Sequence, residues 1–316
     1  MSEHQTILVA GSANLDFVVR AAHVPAAGET VLGRDVRTFA GGKGANQAVA
    51  GARAGGVPVR MLLALGEDAA AGVIEQSLSA AGVQMDILRE PEIATGSAFV
   101  CLTDDAQNAI TVAPGANACL APQHLPSLDG VSHLLLQLET PIETVTAYAG
   151  AARAAGVRVV LNAAPARALP PALLDLVDVL IVNEGELAAI TGCSGDVGQA
   201  LARLHVPCVV VTLGARGCVM RNGGQFLLQP GFNISAVDST AAGDTFCGAL
   251  VAAFHQGLSL EAALRRASAA AALTCTRLGA QDSVPGRDEV DRFLHERERE
   301  AGDAEALAFY CRLNPV

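Results

Sequence analysis

A chain of 316 residues that is 51% hydrophobic and only 17% charged can bury one large core, which excludes global disorder. Its net charge of −11 repels phosphate backbones and so excludes nucleic acid as an expected partner, although a few local donors can still hold a nucleotide inside an acidic protein. The eight cysteines show no C-x-x-C spacing, no basic-then-apolar leader opens the chain, and no apolar run reaches the roughly 20 residues that span a bilayer; the expectation is a reduced, cytoplasmic protein without a zinc ribbon.

In chain order, residues 7–10 form an apolar run that ends at Gly11 and reads as a buried strand. Residues 17–39 are mixed and alternate around 30–38, which predicts half-exposed strands. Residues 45–54 predict a helix, 59–65 a strand, and 69–81 a helix closed by Gly82. Residues 97–102 and 108–112 predict a hairpin across the polar turn 104–107. A regular rhythm follows: strands at 133–138, 158–162, 179–183 and 208–213, and helices at 142–155, 171–176, 184–191 and 198–204. Helices are also predicted at 242–255, 260–273 and 288–300.

Strand–helix alternation at this spacing predicts an α/β fold, a mainly parallel sheet with helices on both faces. The segments near 12–40 and 97–112 break the rhythm and predict a small β-sheet lid over the main body. The expected organisation is one domain over 1–296 and a C-terminal tail, 297–316.

Five segments carry chemistry. In Gly41-Gly42-Lys43-Gly44-Ala45-Asn46 the glycines allow close backbone approach, while Lys43 and Asn46 offer donors to hydroxyl groups. It is neither a Walker loop nor a dinucleotide fingerprint, and a plain turn before a helix uses the same residues. Asn14-Leu15-Asp16 follows the first strand, where open α/β sheets bind ligands; its amide and carboxylate suit a polyol, or an ordinary Asx turn. In Asp238-Ser239-Thr240-Ala241-Ala242-Gly243-Asp244-Thr245-Phe246, small residues open onto an apolar helix. The free N–H groups of that helix start suit an anion, and Asp244 suits a base that takes a proton from an attacking hydroxyl, or a capping carboxylate. Asn183-Glu184-Gly185-Glu186 places carboxylates at a strand end, suited to Mg²⁺ through water or to the helix dipole. Thr212-Leu213-Gly214-Ala215-Arg216-Gly217 forms a strand and Gly-rich turn of the kind that shelves a nucleotide.

Together these segments resemble the ribokinase-like (PfkB) carbohydrate kinase family over about residues 7–294. The Ala-Ala-Gly-Asp-Thr-Phe block at 241–246 is specific to that family. Gly-Gly-Lys-Gly-Ala-Asn-Gln at 41–47, Asn14 and Asp16, Leu-Glu-Thr-Pro at 138–141 and Asn-Ala-Ala-Pro-Ala at 162–166 resemble its ribose-phosphorylating members. The resemblance implies ATP-dependent phosphorylation of D-ribose at its 5-hydroxyl. It implies that Asn14, Asp16, Gly42, Lys43, Asn46 and Glu139 bind the sugar, with Asp244 as general base and the N–H groups of Ala241, Ala242, Gly243 and Asp244 as an anion hole. Asn183, Thr212, Leu213, Gly214, Ala215, Arg216 and Gly217 would line the ATP site, with Glu186 serving Mg²⁺. Asp238, Thr240, Thr274, Arg277, Gly279 and Ser283 match the positions that hold a monovalent cation, usually K⁺. A homodimer through the lid sheet is also implied.

Two positions depart from the pattern. Ser268 stands where a His beside the adenine is expected, and the tail from Gly302 is an addition expected to be disordered or to serve an oligomer. The rivals are a family member acting on deoxyribose, fructose or a nucleoside, and a non-catalytic sugar-binding protein on the same fold.

Overall fold

The computed structural model describes residues 5–103, 108–298 and 302–313. Strand β1 (Thr6–Ala10) passes through Gly11 directly into β2 (Asn14–Ala21), which with β3 (Asp35–Gly41) stands apart from the main sheet. Helix α1 (Lys43–Arg53), β4 (Val59–Gly66), α2 (Ala69–Ala80) and β5 (Gln84–Glu90) return the chain to the body. Strands β6 (Gly96–Thr103) and β7 (Asn108–Ala113) then join β2 and β3. The turn expected at 104–107 lies outside the described residues.

The βα rhythm occupies the middle of the chain: β8 (Val131–Leu136), α3 (Ile142–Ala154), β9 (Arg158–Asn162), α4 (Pro171–Leu174), β10 (Val179–Asn183), α5 (Glu184–Thr191), α6 (Val197–Ala202) and β11 (Cys208–Thr212). A hairpin of β12 (Gly217–Asn222) and β13 (Gln225–Pro230) follows, then α7 (Ala242–His255), α8 (Leu260–Thr274), α9 (Arg287–Glu296) and α10 (Ala304–Tyr310).

The main sheet runs β13-β12-β11-β10-β9-β8-β1-β4-β5, parallel from β11 to β5, with β12 and β13 antiparallel at one edge. Its strands alternate faces with period two. Ile7 and Val9 of β1 enter one core with α1, α2, α7, α8 and α9, while Leu8 and Ala10 enter the other with α3, α4, α5 and α6. The expected helices on both faces are thereby formed. The small sheet runs β3-β2-β6-β7, with β2 and β6 parallel and the outer pairs antiparallel. No helix among the described residues is long and apolar enough to cross a membrane, and all eight cysteines are free.

Three elements depart from the sequence expectation. Edge strand β5 escaped because its half-buried Gln-Met-Asp-Ile-Leu-Arg-Glu run lacks clean alternation. The β12–β13 hairpin lies beyond the expected turn at 212–217; its signal is Asn222-Gly223-Gly224-Gln225, where Gly223 has φ +57°. The tail from Gly302 includes an ordered helix: Leu307 and Cys311 are buried, and the Gly198 N–H donates to Cys311 O at 2.9 Å.

Candidate active site

Strand order reverses between β1 and β8, whose neighbours β4 and β9 lie on opposite sides, and open α/β sheets bind ligands beyond the carboxyl ends of strands at such a point. Ser12 and Asn14 follow β1 here, and Gln137 and Glu139 follow β8. Ser12 Oγ donates to Glu139 Oε2 at 2.6 Å, and the Lys43 backbone N–H donates to the same oxygen at 3.1 Å. Asn117 Nδ2 donates to Asn14 Oδ1 at 2.8 Å, which orients the Asn14 amide. Gly42 makes this approach possible: it has φ +87°, and a Cβ there would sit 2.7 Å from Ala13 Cα.

Asp16 lies among charges. Burial, reinforced by the Glu139 and Asp244 carboxylates and only partly offset by Lys43, pushes its carboxyl up to about 7. Burial works against the charge on Lys43, but Asp244, Glu139 and Glu186 outweigh it and hold the ammonium above its ordinary range. Asp16 Oδ1 and Asn46 Oδ1 are buried without a hydrogen-bond partner. Buried polar atoms are normally paired, so two orphans in one polar cradle point to a polar ligand that completes them.

Asp244, in the first turn of α7, is buried and held from α1. Asn46 Nδ2 donates to its Oδ2 at 3.0 Å, and Gln47 Nε2 donates to its Oδ1 at 2.9 Å. The helices meet closely because of Gly248, one turn further along α7, where a Cβ would lie 2.3 Å from Gln47 O. Gln47 is itself fixed: Gln137 Nε2 donates to its Oε1 at 2.7 Å, and its Nε2 also donates to Asn162 Oδ1 at 3.0 Å. Gln47, Gln137 and Asn162 were not among the expected site residues. Their signal was available, since Gln47 closes the Gly-rich block, Gln137 directly follows β8 and Asn162 ends β9.

At the start of α7, Ala241 is left-handed with φ +58°, an uncommon conformation for a residue with a Cβ. A left-handed residue followed by helical ones forms a concave run of N–H groups suited to an anion. Gly243 and Asp244 have no backbone acceptor, whereas the Ala242 N–H is turned back to Ser239 O at 3.2 Å. Of the four N–H groups expected from sequence to meet an anion, those of Ala241, Gly243 and Asp244 have no backbone acceptor.

One cleft joins Lys43 with Asn183 and Glu186 after β10, Thr212 at the end of β11, and Ala241, Gly243 and Asp244. Asn183 and Glu186 bond reciprocally at the start of α5: Asn183 Oδ1 accepts the Glu186 N–H, and Glu186 Oε2 accepts the Asn183 N–H, each at 2.8 Å. In the adjoining loop Gly214, Ala215 and Arg216 are exposed, Leu213 is buried, and Gly217 opens β12. Ser268 does not line this cleft; it is buried on α8 with its hydroxyl 3.7 Å from Cys218 Sγ.

Residues 4–287 match the pfkB family carbohydrate kinase profile. The chain belongs to the pfkB family of carbohydrate kinases. It is 38% identical over 296 residues to ribokinase of Bacillus subtilis, covering 92% of this chain and 99% of that one. It is 36% identical over 302 residues to ribokinase of Haemophilus influenzae, covering 92% and 98%. Its fold is similar, at TM-score 0.85 and 36% identity over 92% of this chain and 99% of the other, to Arabidopsis thaliana ribokinase complexed with ribose and ATP.

Members of this family that use metal ions need sites for them, and two sets of residues bear on that. Among the described residues no group of three or more His, Cys, Asp or Glu side chains could hold a metal directly. Mg²⁺ instead keeps water and takes one or two carboxylates beside substrate phosphates. Glu186 lines the cleft beside Asn183 and could meet such an ion through water: its Oε2 is committed to the cap of α5, and burial raises its pKa, an effect a nearby cation would offset. In the monovalent-cation set, Asp238 ties its loop together. Its Oδ1 accepts from Thr240 N at 2.9 Å and Oγ1 at 2.7 Å, and its Oδ2 accepts from Gly279 N at 3.1 Å. The Thr274 and Ser283 hydroxyls donate instead to Ala270 O and Ala280 O, and the Arg277 guanidinium pairs with Glu289. The five side chains of this set form no cage, so a cation there would have to be held mainly by backbone carbonyls.

Proposed function

We propose that this chain transfers the terminal phosphoryl group of ATP to the 5-hydroxyl of D-ribose, yielding ADP and D-ribose 5-phosphate. The observation that carries this is Asp244, a carboxylate aimed by two amides at the helix end whose Gly243 and Asp244 N–H groups lack backbone acceptors. Base and anion site share one turn, and in-line phosphoryl transfer needs that proximity.

Asn14, Asp16, Lys43, Asn46 and Glu139 engage the sugar hydroxyls, Asp16 Oδ1 and Asn46 Oδ1 gaining partners on binding. Asp244 takes the proton of the primary hydroxyl as its oxygen bonds to the γ-phosphorus and the β,γ-bridging oxygen leaves with ADP. The N–H groups of Ala241, Gly243 and Asp244 donate to the transferring phosphoryl oxygens. Magnesium bound near Glu186 and Asn183 would supply neutralising charge for the phosphates. A potassium ion on the loop of Asp238, Thr240 and Gly279 would stiffen the turn that precedes Ala241. The small sheet acts as a lid that excludes water, and its exposed Val36 and Phe99 suit pairing with a second copy.

The deciding measurement is ADP release with D-ribose, 2-deoxyribose, fructose and a nucleoside in ATP, Mg²⁺ and K⁺. Ribose is expected to be preferred by at least about tenfold in kcat/KM, because groups built to bond a hydroxyl are left unpaired without it. Preference for another acceptor would replace ribose within the family, and no release with any would leave a non-catalytic binding protein. Replacing K⁺ by Na⁺ is expected to slow turnover, and equal rates would remove the cation from the mechanism.

A further inference from the structure

The C-terminal helix α10 lies beyond the residues matched to the family, yet its last turn packs on segments that directly follow the cleft residues Asn183 and Thr212. Tyr310 makes two contacts there. Its hydroxyl donates to Glu184 Oε1 at 2.6 Å, and the Arg216 guanidinium lies over its ring, 4.2 Å from the centroid. Glu184 directly follows Asn183, the end of β10, as the first residue of α5, and Arg216 lies in the turn after β11. These neighbouring parallel strands end in Asn183 and Thr212, which both line the cleft with Asp244. One side chain of the tail thus bridges the start of α5 and the turn after β11, the two segments that follow Asn183 and Thr212.

The tail is anchored well enough to act as a brace. Leu307 and Cys311 are buried, Arg312 pairs with Asp196 at 3.0 Å, and Gly302 lies against Pro230, where a Cβ would come 2.3 Å from the proline Cβ. Residues 214–216 form a single exposed turn of 3-10 helix; the Arg216 N–H donates to Leu213 O at 3.2 Å and its carbonyl accepts from the Gly231 N–H at 2.9 Å, so the backbone is held and the Tyr310 ring acts on the exposed side chain. An exposed arginine otherwise samples many rotamers, and each contact with Tyr310 lowers the entropy lost when a nucleotide orders it.

We propose that Tyr310 is a positioning residue that holds Arg216 and Glu184 in place for adenine-nucleotide binding. This rests on the kinase function above, and it assigns to the tail a part in nucleotide affinity and none in sugar affinity.

The test is calorimetric titration of the full-length protein with Mg·ADP in the absence of sugar, beside a separate titration with D-ribose. Tyr310→Ala is expected to weaken ADP binding about three- to tenfold, the range of a cation–π contact and a hydrogen bond to a charged group. Tyr310→Phe keeps the ring over Arg216 and is expected to recover part of that loss. Ribose affinity is expected to stay within about twofold in both variants. Arg216→Lys keeps the charge but loses the planar stack, and the double variant Arg216→Lys with Tyr310→Ala is expected to be no weaker than the worse single variant. Unchanged ADP affinity in Tyr310→Ala overturns the assignment, as does a parallel fall in ADP and ribose affinity, which marks general loosening. Failure of the wild type to bind adenine nucleotide overturns this and the kinase function together. If Tyr310→Ala fails to fold, ADP affinity in Arg216→Lys and Tyr310→Phe decides instead, and wild-type affinity in both overturns the bridge.

Discussion

The two halves of the cleft are built in opposite ways. On the side of Asn14 and Glu139, side chains that follow β1 and β8, together with those of β2, α1, β9 and α7, interlock through buried amides and carboxylates, joining residues as far apart as Asn46 and Asp244. On the side of Asn183 and Thr212 the contacts are local: a helix start with unused N–H groups, a cap between neighbours in sequence, and a short, exposed Gly-rich turn. The difference follows from what each half must recognise. Distinguishing one polyol from another needs polar groups fixed before binding, whereas phosphates are held well by oriented backbone dipoles of any sequence.

Breaking the base at the junction of the halves is expected to have the largest effect. Asp244→Asn keeps the shape but cannot accept the proton, and kcat should fall by about 10³-fold or more while ribose still binds, as measured by steady-state kinetics and sugar titration. Turnover near wild type would remove Asp244 from the role of base. Gly42→Ala follows in size. Its Cβ would press on Ala13 from a left-handed backbone, so the β1–β2 connection must shift, and ribose KM should rise by about 10-fold or more with ATP KM little changed. A smaller effect, in kcat more than in either KM, is expected for Gln47→Leu. That change leaves Asp244 in place but removes one of the two amides that aim it, so a loss of about 10-fold is expected.

The mildest test sharpens the contrast through pH. Asp16 titrates at about 7 in the folded protein against an ordinary 3.8, so the native state binds the extra proton between those values. Its contribution to stability is complete below 3.8 and is lost as pH rises through about 7. Asp16→Asn cannot titrate, so its melting temperature should gain on that of the wild type as pH rises from about 5 to 8. Parallel melting profiles across that range would show that Asp16 is not held in its neutral form.

Much of the cleft was legible because its parts are short and local. Asn14, Asp16, the Gly41–Asn46 loop and the 241–246 block each combine residue types that serve one chemistry at a turn or a helix start. What escaped was what depends on partners distant in sequence. Gln47 and Asn162 lie 115 residues apart and meet only when α1 packs beside the end of β9. Ser268 was placed by its position in a pattern, but the rotation of α8 turns its hydroxyl to Cys218. The engaged Ala242 N–H depends on a local turn that composition does not reveal.

By itself the sequence determined the parallel βα rhythm, because strands buried on both faces must be apolar throughout and helices between them must be amphipathic. It also determined the residue types for polyol and phosphate recognition, since those needs are met within a few residues. Only the tertiary structure decided how Asp244 is aimed, which N–H groups remain free, and that the tail folds back onto Glu184 and Arg216. Those outcomes rest on distances between segments far apart in the chain, set by helix packing at Gly248 and by the burial of Leu307 and Cys311.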